Sequence, residues 1–181
     1  MNAVENNVKE ILDTQVNECA WLDYKVMWYE HNAQLLKDIV SMLNSNEAYD
    51  KDKFLIIGVN DEKKLVGLAK NIPDDNEIQN LMKNINPRPQ ISSGMIMYND
   101  KNIGFIFISK NNHERIYEIN SNIYNMNYFS QKYDYINEQN LNAIVKNIIK
   151  YCKFKGQSFI RKGSTNCFIT DEERKKFILN Q

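Results

Sequence analysis

Phe54-Leu55-Ile56-Ile57-Gly58-Val59 is a near-continuous apolar run, and it constrains this chain more than any other segment. A strand with one wet face alternates polar and apolar residues, whereas a run without alternation reads as a strand buried within a sheet. Asn60-Asp61-Glu62-Lys63 follows with turn chemistry, and Leu65-Val66-Gly67-Leu68 returns, so a hairpin is expected with Asp61 at the end of the buried strand.

The remaining elements fit around that strand. Val4, Val8, Ile11 and Leu12 have helical spacing within 4–14, and Leu35, Leu36, Ile39, Val40 and Leu43 have it within 31–43, where Asn44-Ser45-Asn46 ends the helix. Ala20 to Trp28 reads as a strand with Trp21, Asp23 and Lys25 on one face. Asp74 or Asp75 caps a predicted helix through Ile78, Leu81, Met82 and Ile85, stopped by Pro87 and Pro89. Ile91–Tyr98 and Ile103–Ser109 form a predicted hairpin about residues 99–102. The Asn/Tyr-rich stretch from Ile119 to Tyr135 reads as loop, and Leu141–Tyr151 reads as a helix. Gln157–Arg161 reads as a strand, 162–166 as a turn, and Thr170 with Glu173 forms a capping box for a last helix. Strands, hairpins and helices in this order give an α+β (mixed α/β) class. The whole chain, 1–181, is expected to be one compact domain with a mixed sheet flanked by helices and an insertion at about 121–155.

Composition excludes several classes. With 43% hydrophobic and 25% charged residues the chain is neither disordered nor fibrous. No apolar run reaches the roughly 18 residues of a membrane span, and MNAVENNVKE lacks the basic and apolar regions of a signal peptide, so a cytoplasmic location and no membrane partner are expected. Cys19, Cys152 and Cys167 lack the spacing of a zinc site, and reduced thiols are expected. Gly58 and Gly67 make no phosphate-cradling pattern, so no motif supports ATP. The formal net charge is zero, but residues 1–50 carry three lysines against nine acids, while 151–181 carry seven basic residues against three acids. A negative centre beside a positive strip suits a nucleic-acid partner, RNA or DNA; two differing solvated faces would look the same.

Two groups of residues carry chemistry. Glu18, Asp23 and Asp61, if the fold assembles them, give an oxygen-rich site for Mg²⁺ or Mn²⁺. Such an ion neutralises a scissile phosphate and activates water, and Lys25, on the face of Asp23, would assist at the phosphate. The plainer alternative pairs Asp23 with Lys25 or Arg161 and leaves Asp61 as a turn residue. Arg161, Lys162, Ser164 and Thr165 offer a guanidinium, an ammonium and hydroxyls for backbone phosphates. His31 and His113 read as surface or helix-start residues. Tyr124, Tyr128, Tyr133 and Tyr135 would stack on bases, or pack on the domain or on a second subunit of a homo-oligomer.

Taken in order, Glu18 with Leu22-Asp23-Tyr24-Lys25, then Ile57-Gly58-Val59-Asn60-Asp61, then Phe159-Ile160-Arg161-Lys162-Gly163-Ser164-Thr165 resemble the Schlafen-type AlbA-like domain over about 18–178. Vertebrate members are metal-dependent endoribonucleases that cleave tRNA and rRNA, and the resemblance puts their three carboxylates on Glu18, Asp23 and Asp61. Many bacterial relatives use the domain for regulation instead. This sequence departs in having Asp23 where Glu is usual, in lacking Gly-Gly before Ile57-Gly58-Val59, and in the insertion near 121–155; the vertebrate zinc site has no counterpart. The resemblance therefore implies a nucleic-acid-binding protein, with an endoribonuclease acting on structured RNA such as tRNA and a non-catalytic regulatory or phage-defence module as its two forms.

Overall fold

The computed structural model describes residues 3–113, 116–120 and 157–179. The chain order is α1 (Ala3–Thr14), β1 (Leu22–Lys25), α2 (Asn32–Leu43), β2 (Lys53–Ile57), α3 (Asp75–Leu81) with a 3₁₀ turn at Met82–Asn84, β3 (Ile85–Asn86), β4 (Ile91–Tyr98), β5 (Lys101–Ile108), β6 (Glu118–Ile119), β7 (Phe159–Lys162), β8 (Thr165–Phe168) and α4 (Asp171–Leu179). A four-stranded sheet has the order β1-β2-β5-β4, with β1 and β2 parallel and the other pairs antiparallel. Two small ribbons, β3–β6 and β7–β8, complete it. The α+β expectation holds.

Phe54–Ile57 of the apolar run form β2 together with Lys53, and every residue of the strand is buried. Phe54 and Ile56 pack with Val8, Ile11 and Leu12 of α1, while Leu55 and Ile57 pack with Leu35, Leu36 and Ile39 of α2. Period two sends alternate side chains to opposite faces, so an unbroken run needs a helix on each side. Full burial of each such side chain contributes roughly 1.5–3 kcal/mol. Leu22 and Tyr24 of β1 join the α1 side, which turns Asp23 toward α2.

Turn chemistry places the connections. Asp74 accepts from Glu77 N at 2.9 Å and Glu77 returns the bond to Asp74 N at 3.2 Å, a capping box. Asn99 and Asp100 have φ of 47° and 58°, which makes the β4–β5 loop two residues long and starts β5 at Lys101, two residues before the expected Ile103. Gly58, at φ 105°, bends the chain out of β2, and its carbonyl accepts from Val66 N and Gly67 N at 2.8 and 2.9 Å. The expected return strand at 65–68 reduces to one bridge, Val59 to Leu65. The helix expected to reach Ile85 is shorter, because residues 82–84 tighten to 3₁₀ and Ile85 pairs with Ile119. The expected turn at 162–166 narrows to Gly163-Ser164, with β8 beginning at Thr165. Thr170 and Glu173 form the expected box on α4. The insertion and the Leu141–Tyr151 helix lie outside the described residues. Among the described residues no helix is long and apolar enough to cross a membrane.

Asn44 does more than end α2. Fully buried, it donates to Tyr117 O and Phe159 O, both at 2.8 Å, and accepts from Tyr117 N at 2.9 Å, joining α2 to the starts of β6 and β7. Asn44→Ala would remove three hydrogen bonds to buried backbone groups, each loss costing about 1–3 kcal/mol. A loss of about 3 kcal/mol or more in urea unfolding is the expected result.

Candidate functional site

The acids of the sequence motif meet a second acid from the neighbouring helix. Asp23, on β1, is 3% exposed, and Asp38, on α2, is 4% exposed. Arg161 Nη2 donates to Asp23 Oδ1 at 2.8 Å, and the Lys25 ammonium forms an ion pair with Oδ2. Asp38 accepts from Tyr29 Oη and from Asn166 Nδ2, each at 2.7 Å, with Lys37 at 3.4 Å and Lys25 at 3.8 Å. Asn166 Oδ1 accepts from Arg161 Nη1 at 3.1 Å, which closes the network. Two buried carboxylates are thus balanced by one buried guanidinium and by half-buried lysines, the condition under which charge is tolerated in a core.

Arg161 is itself 1% exposed, and its remaining donors serve the backbone: Nε reaches Cys19 O at 2.9 Å and Nη2 reaches Leu22 O at 3.4 Å. Glu18 acts beside it, accepting from Tyr24 N at 2.8 Å. Leu22 and Tyr24 turn their peptide groups away from β2, since Trp21 O and Lys25 O are the groups that bond the β2 side. Glu18 and Arg161 therefore cap the outer edge of β1 in place of a further strand.

The electrostatics follow from this crowding. Burial raises the Glu18 carboxyl above its ordinary 4.5; the Tyr24 amide opposes that, and the neighbouring Asp23 adds to it. Burial works against the Lys25 ammonium, yet Asp23, Asp38 and Glu18 outweigh it and raise its pKa. Burial and the charge of Glu18 push Tyr24 up to about 12, and burial with Asp38 raises Tyr29 well above the usual phenol range.

The sequence-derived sites divide accordingly. Glu18, Asp23 and Lys25 come together, but Asp61 sits exposed in the Asn60–Lys64 turn, where the Asn60 side chain accepts from Glu62 N and Lys64 N at 3.1 and 2.8 Å. Among the described residues no three His, Cys, Asp or Glu side chains are grouped to hold a metal ion. Both Asp23 oxygens face cations, Arg161 on Oδ1 and Lys25 on Oδ2. Arg161 lies buried against Asp23 and does not share the exposed hairpin tip. Lys162, Ser164 and Thr165 are exposed at the β7–β8 tip, with Lys162 bonded to Glu173 at 2.6 Å. Cys19 and Cys167 are free thiols, and Cys152 lies outside the described residues. His31 precedes α2 without capping it by its side chain, and His113 is exposed against Tyr49; neither belongs to the site.

Asp38, Tyr29 and Asn166 were absent from the sequence reading. One signal pointed to Asp38: three residues after Leu35 and four before Met42, it places an acid on the apolar face of α2.

The comparisons with known proteins bear on this arrangement. A family model described as Schlafen, AlbA_2 matches residues 18–168. No curated protein matches. Among solved structures, the N-terminal domain of a protein related to the ATP-dependent DNA helicase RecG, from Nitrosomonas europaea, is 16% identical over 60% of this chain and 73% of that one, with a TM-score of 0.34.

Two outcomes are expected. Arg161→Met leaves Asp23 buried with its main partner gone, so urea unfolding should show a loss of about 3–5 kcal/mol, and adding Asp23→Leu should recover most of it. For Glu18 the folded pKa is raised, so protonation favours the fold, and its contribution fades as pH rises through the folded pKa. Glu18→Gln keeps the acceptor for Tyr24 without the charge; thermal melts should show it more stable than wild type at pH 7, with the difference disappearing below about pH 4.

Proposed function

The chain belongs to the Schlafen AlbA_2 family, and on that premise we propose that it is a nucleic-acid-binding domain whose motif carboxylates Glu18 and Asp23 are structural. The observation that carries this reading is the state of Asp23: with Arg161 on one oxygen and Lys25 against the other, it is committed to holding the β7–β8 hairpin onto β1. Backbone contact then falls to groups that face solvent. Lys162, Ser164 and Thr165 at the hairpin tip, with Lys175 and Lys176 on α4, supply exposed cations and hydroxyls from the basic C-terminal stretch. Such contacts neutralise phosphates and position a strand without reading its sequence. RNA and DNA both satisfy this chemistry, and a regulatory or defence role is compatible with binding alone.

A second reading, a divalent-metal-dependent endoribonuclease acting on structured RNA such as tRNA, has one observation in its favour. The Glu18 carboxyl adjoins Asp23, with its pKa raised by burial and then by that neighbour. Two adjacent carboxyl groups can divide general acid and base roles.

Fluorescence anisotropy with labelled single-stranded RNA and DNA separates these readings from no binding at all. Wild type should bind in a salt-dependent manner. Lys162→Ala/Lys175→Ala/Lys176→Ala should weaken binding and lower the magnitude of the log–log salt slope by about 2, at about 0.7 per lost contact to a single strand. Asp61→Ala should bind as wild type does. Incubation with tRNA and Mn²⁺ decides the second reading: cleavage lost in Glu18→Gln would establish it and displace the first, whereas intact tRNA would leave the binding domain.

A further inference from the structure

A cavity of about 380 Å³ lies between the β1–α2 connection and α3, lined in part by Trp28, Asn32, Glu77, Ile78, Asn80 and Leu81. Its size is that of a small-molecule site. Ile78 and Leu81 belong to, or pack against, the core beneath α2, which gives it an apolar floor. Trp28 supplies an aromatic wall. That ring is held: it meets Tyr29 edge-on, with centroids 6.0 Å apart and planes at 89°, and the Tyr29 hydroxyl is bonded to Asp38 at 2.7 Å.

The polar groups around the cavity are mostly uncharged and incompletely used. Asn80 Oδ1 accepts from Lys83 at 2.8 Å, which leaves its amide N–H groups as donors. Neither the Trp28 indole N–H nor the Asn32 carboxamide has a hydrogen-bond partner among the described residues. Glu77 accepts from Asp74 N through Oε2 and brings the one charge among the lining residues. A phosphate is disfavoured here, since no cation lines the cavity and Glu77 would repel it. A flat heteroaromatic ring with a donor and acceptor edge meets all of these groups.

We propose that this cavity takes a single unpaired nucleobase, stacked on Trp28 and hydrogen-bonded along its polar edge by Asn32, Asn80 and Glu77. Carboxamides bond adenine in bidentate fashion, and carboxylates accept from the exocyclic amine of cytosine, so bases with an amino group are favoured over thymine. Stacking on one aromatic ring is the usual means of holding an unpaired base. The site deepens the binding role and, as a stop within a strand, rests on the nucleic-acid-binding reading; the base itself is the shared chemistry of a free nucleoside and a nucleotide in a strand.

The two tryptophans make the test direct. In Trp21→Phe, with Trp28 as the remaining indole, adenosine or cytidine should quench emission saturably, and thymidine should do so less. Asn32 is exposed, so Asn32→Ala should keep the fold and shift half-saturation upward at least about fivefold, the factor that corresponds to about 1 kcal/mol of base discrimination. The same titration with a short oligoadenylate distinguishes the sources: quenching by the oligonucleotide alone assigns the site to a base within a strand, and quenching by both assigns it to the base in either form. Absence of saturable quenching by either, or quenching unmoved by Asn32→Ala, overturns the proposal. An oligonucleotide that binds by anisotropy yet leaves Trp28 emission unchanged overturns the cavity site and keeps the binding role. Nucleoside quenching without oligonucleotide binding does the reverse.

Discussion

The Asp23–Arg161 ion pair is the contact on which the rest of the arrangement depends. Its partners are 138 residues apart in the chain, and both are almost wholly removed from solvent. Burying either alone would cost several kcal/mol, and burying them together is tolerable because each has further partners: Lys25 for the carboxylate, and Asn166 with the Cys19 and Leu22 carbonyls for the guanidinium. Such a pair specifies where the C-terminal hairpin docks more than it stabilises the fold, since an apolar pair of similar volume would tolerate small shifts that directional bonds do not.

From that pair the organisation spreads in two directions. Toward α2, Asn166 passes the constraint to Asp38, Asp38 to Tyr29, and Tyr29 to the ring of Trp28. Toward the sheet, the guanidinium and Glu18 hold the outer peptide groups of β1. The buried network and the aromatic cavity are thus parts of one chain of contacts, in which charge fixes the geometry at one end and leaves an indole positioned at the other.

Much of the fold was legible in the sequence. The unbroken run in β2 reported a strand covered on both faces, and the Asp74 and Thr170 boxes marked helix starts through local hydrogen bonds. The return strand at 65–68 and the length of α3 were not legible, because Gly58 turns the chain and Ile119 captures Ile85, both through contacts distant in sequence. The face shared by Asp23 and Lys25 followed from strand periodicity, and their pairing was one of two readings then open. What the residues around Arg161 concealed was burial: Arg-Lys-Gly-Ser-Thr has the composition of a phosphate-binding tip, and composition does not tell that its first side chain folds inward against β1.

The capped edge of β1 has a counterpart on the far side of the sheet, where Asp75 accepts from Ser93 N at 3.0 Å and Gln79 donates to Ile91 O at 2.7 Å on β4. Side chains thus occupy hydrogen-bonding groups on both rims that a fifth strand would otherwise take. A neighbouring copy, or an extended peptide seeking to join by backbone pairing, would first have to displace charged or amide groups at either rim. At these positions, backbone pairing along either rim would compete with side-chain hydrogen bonds already made.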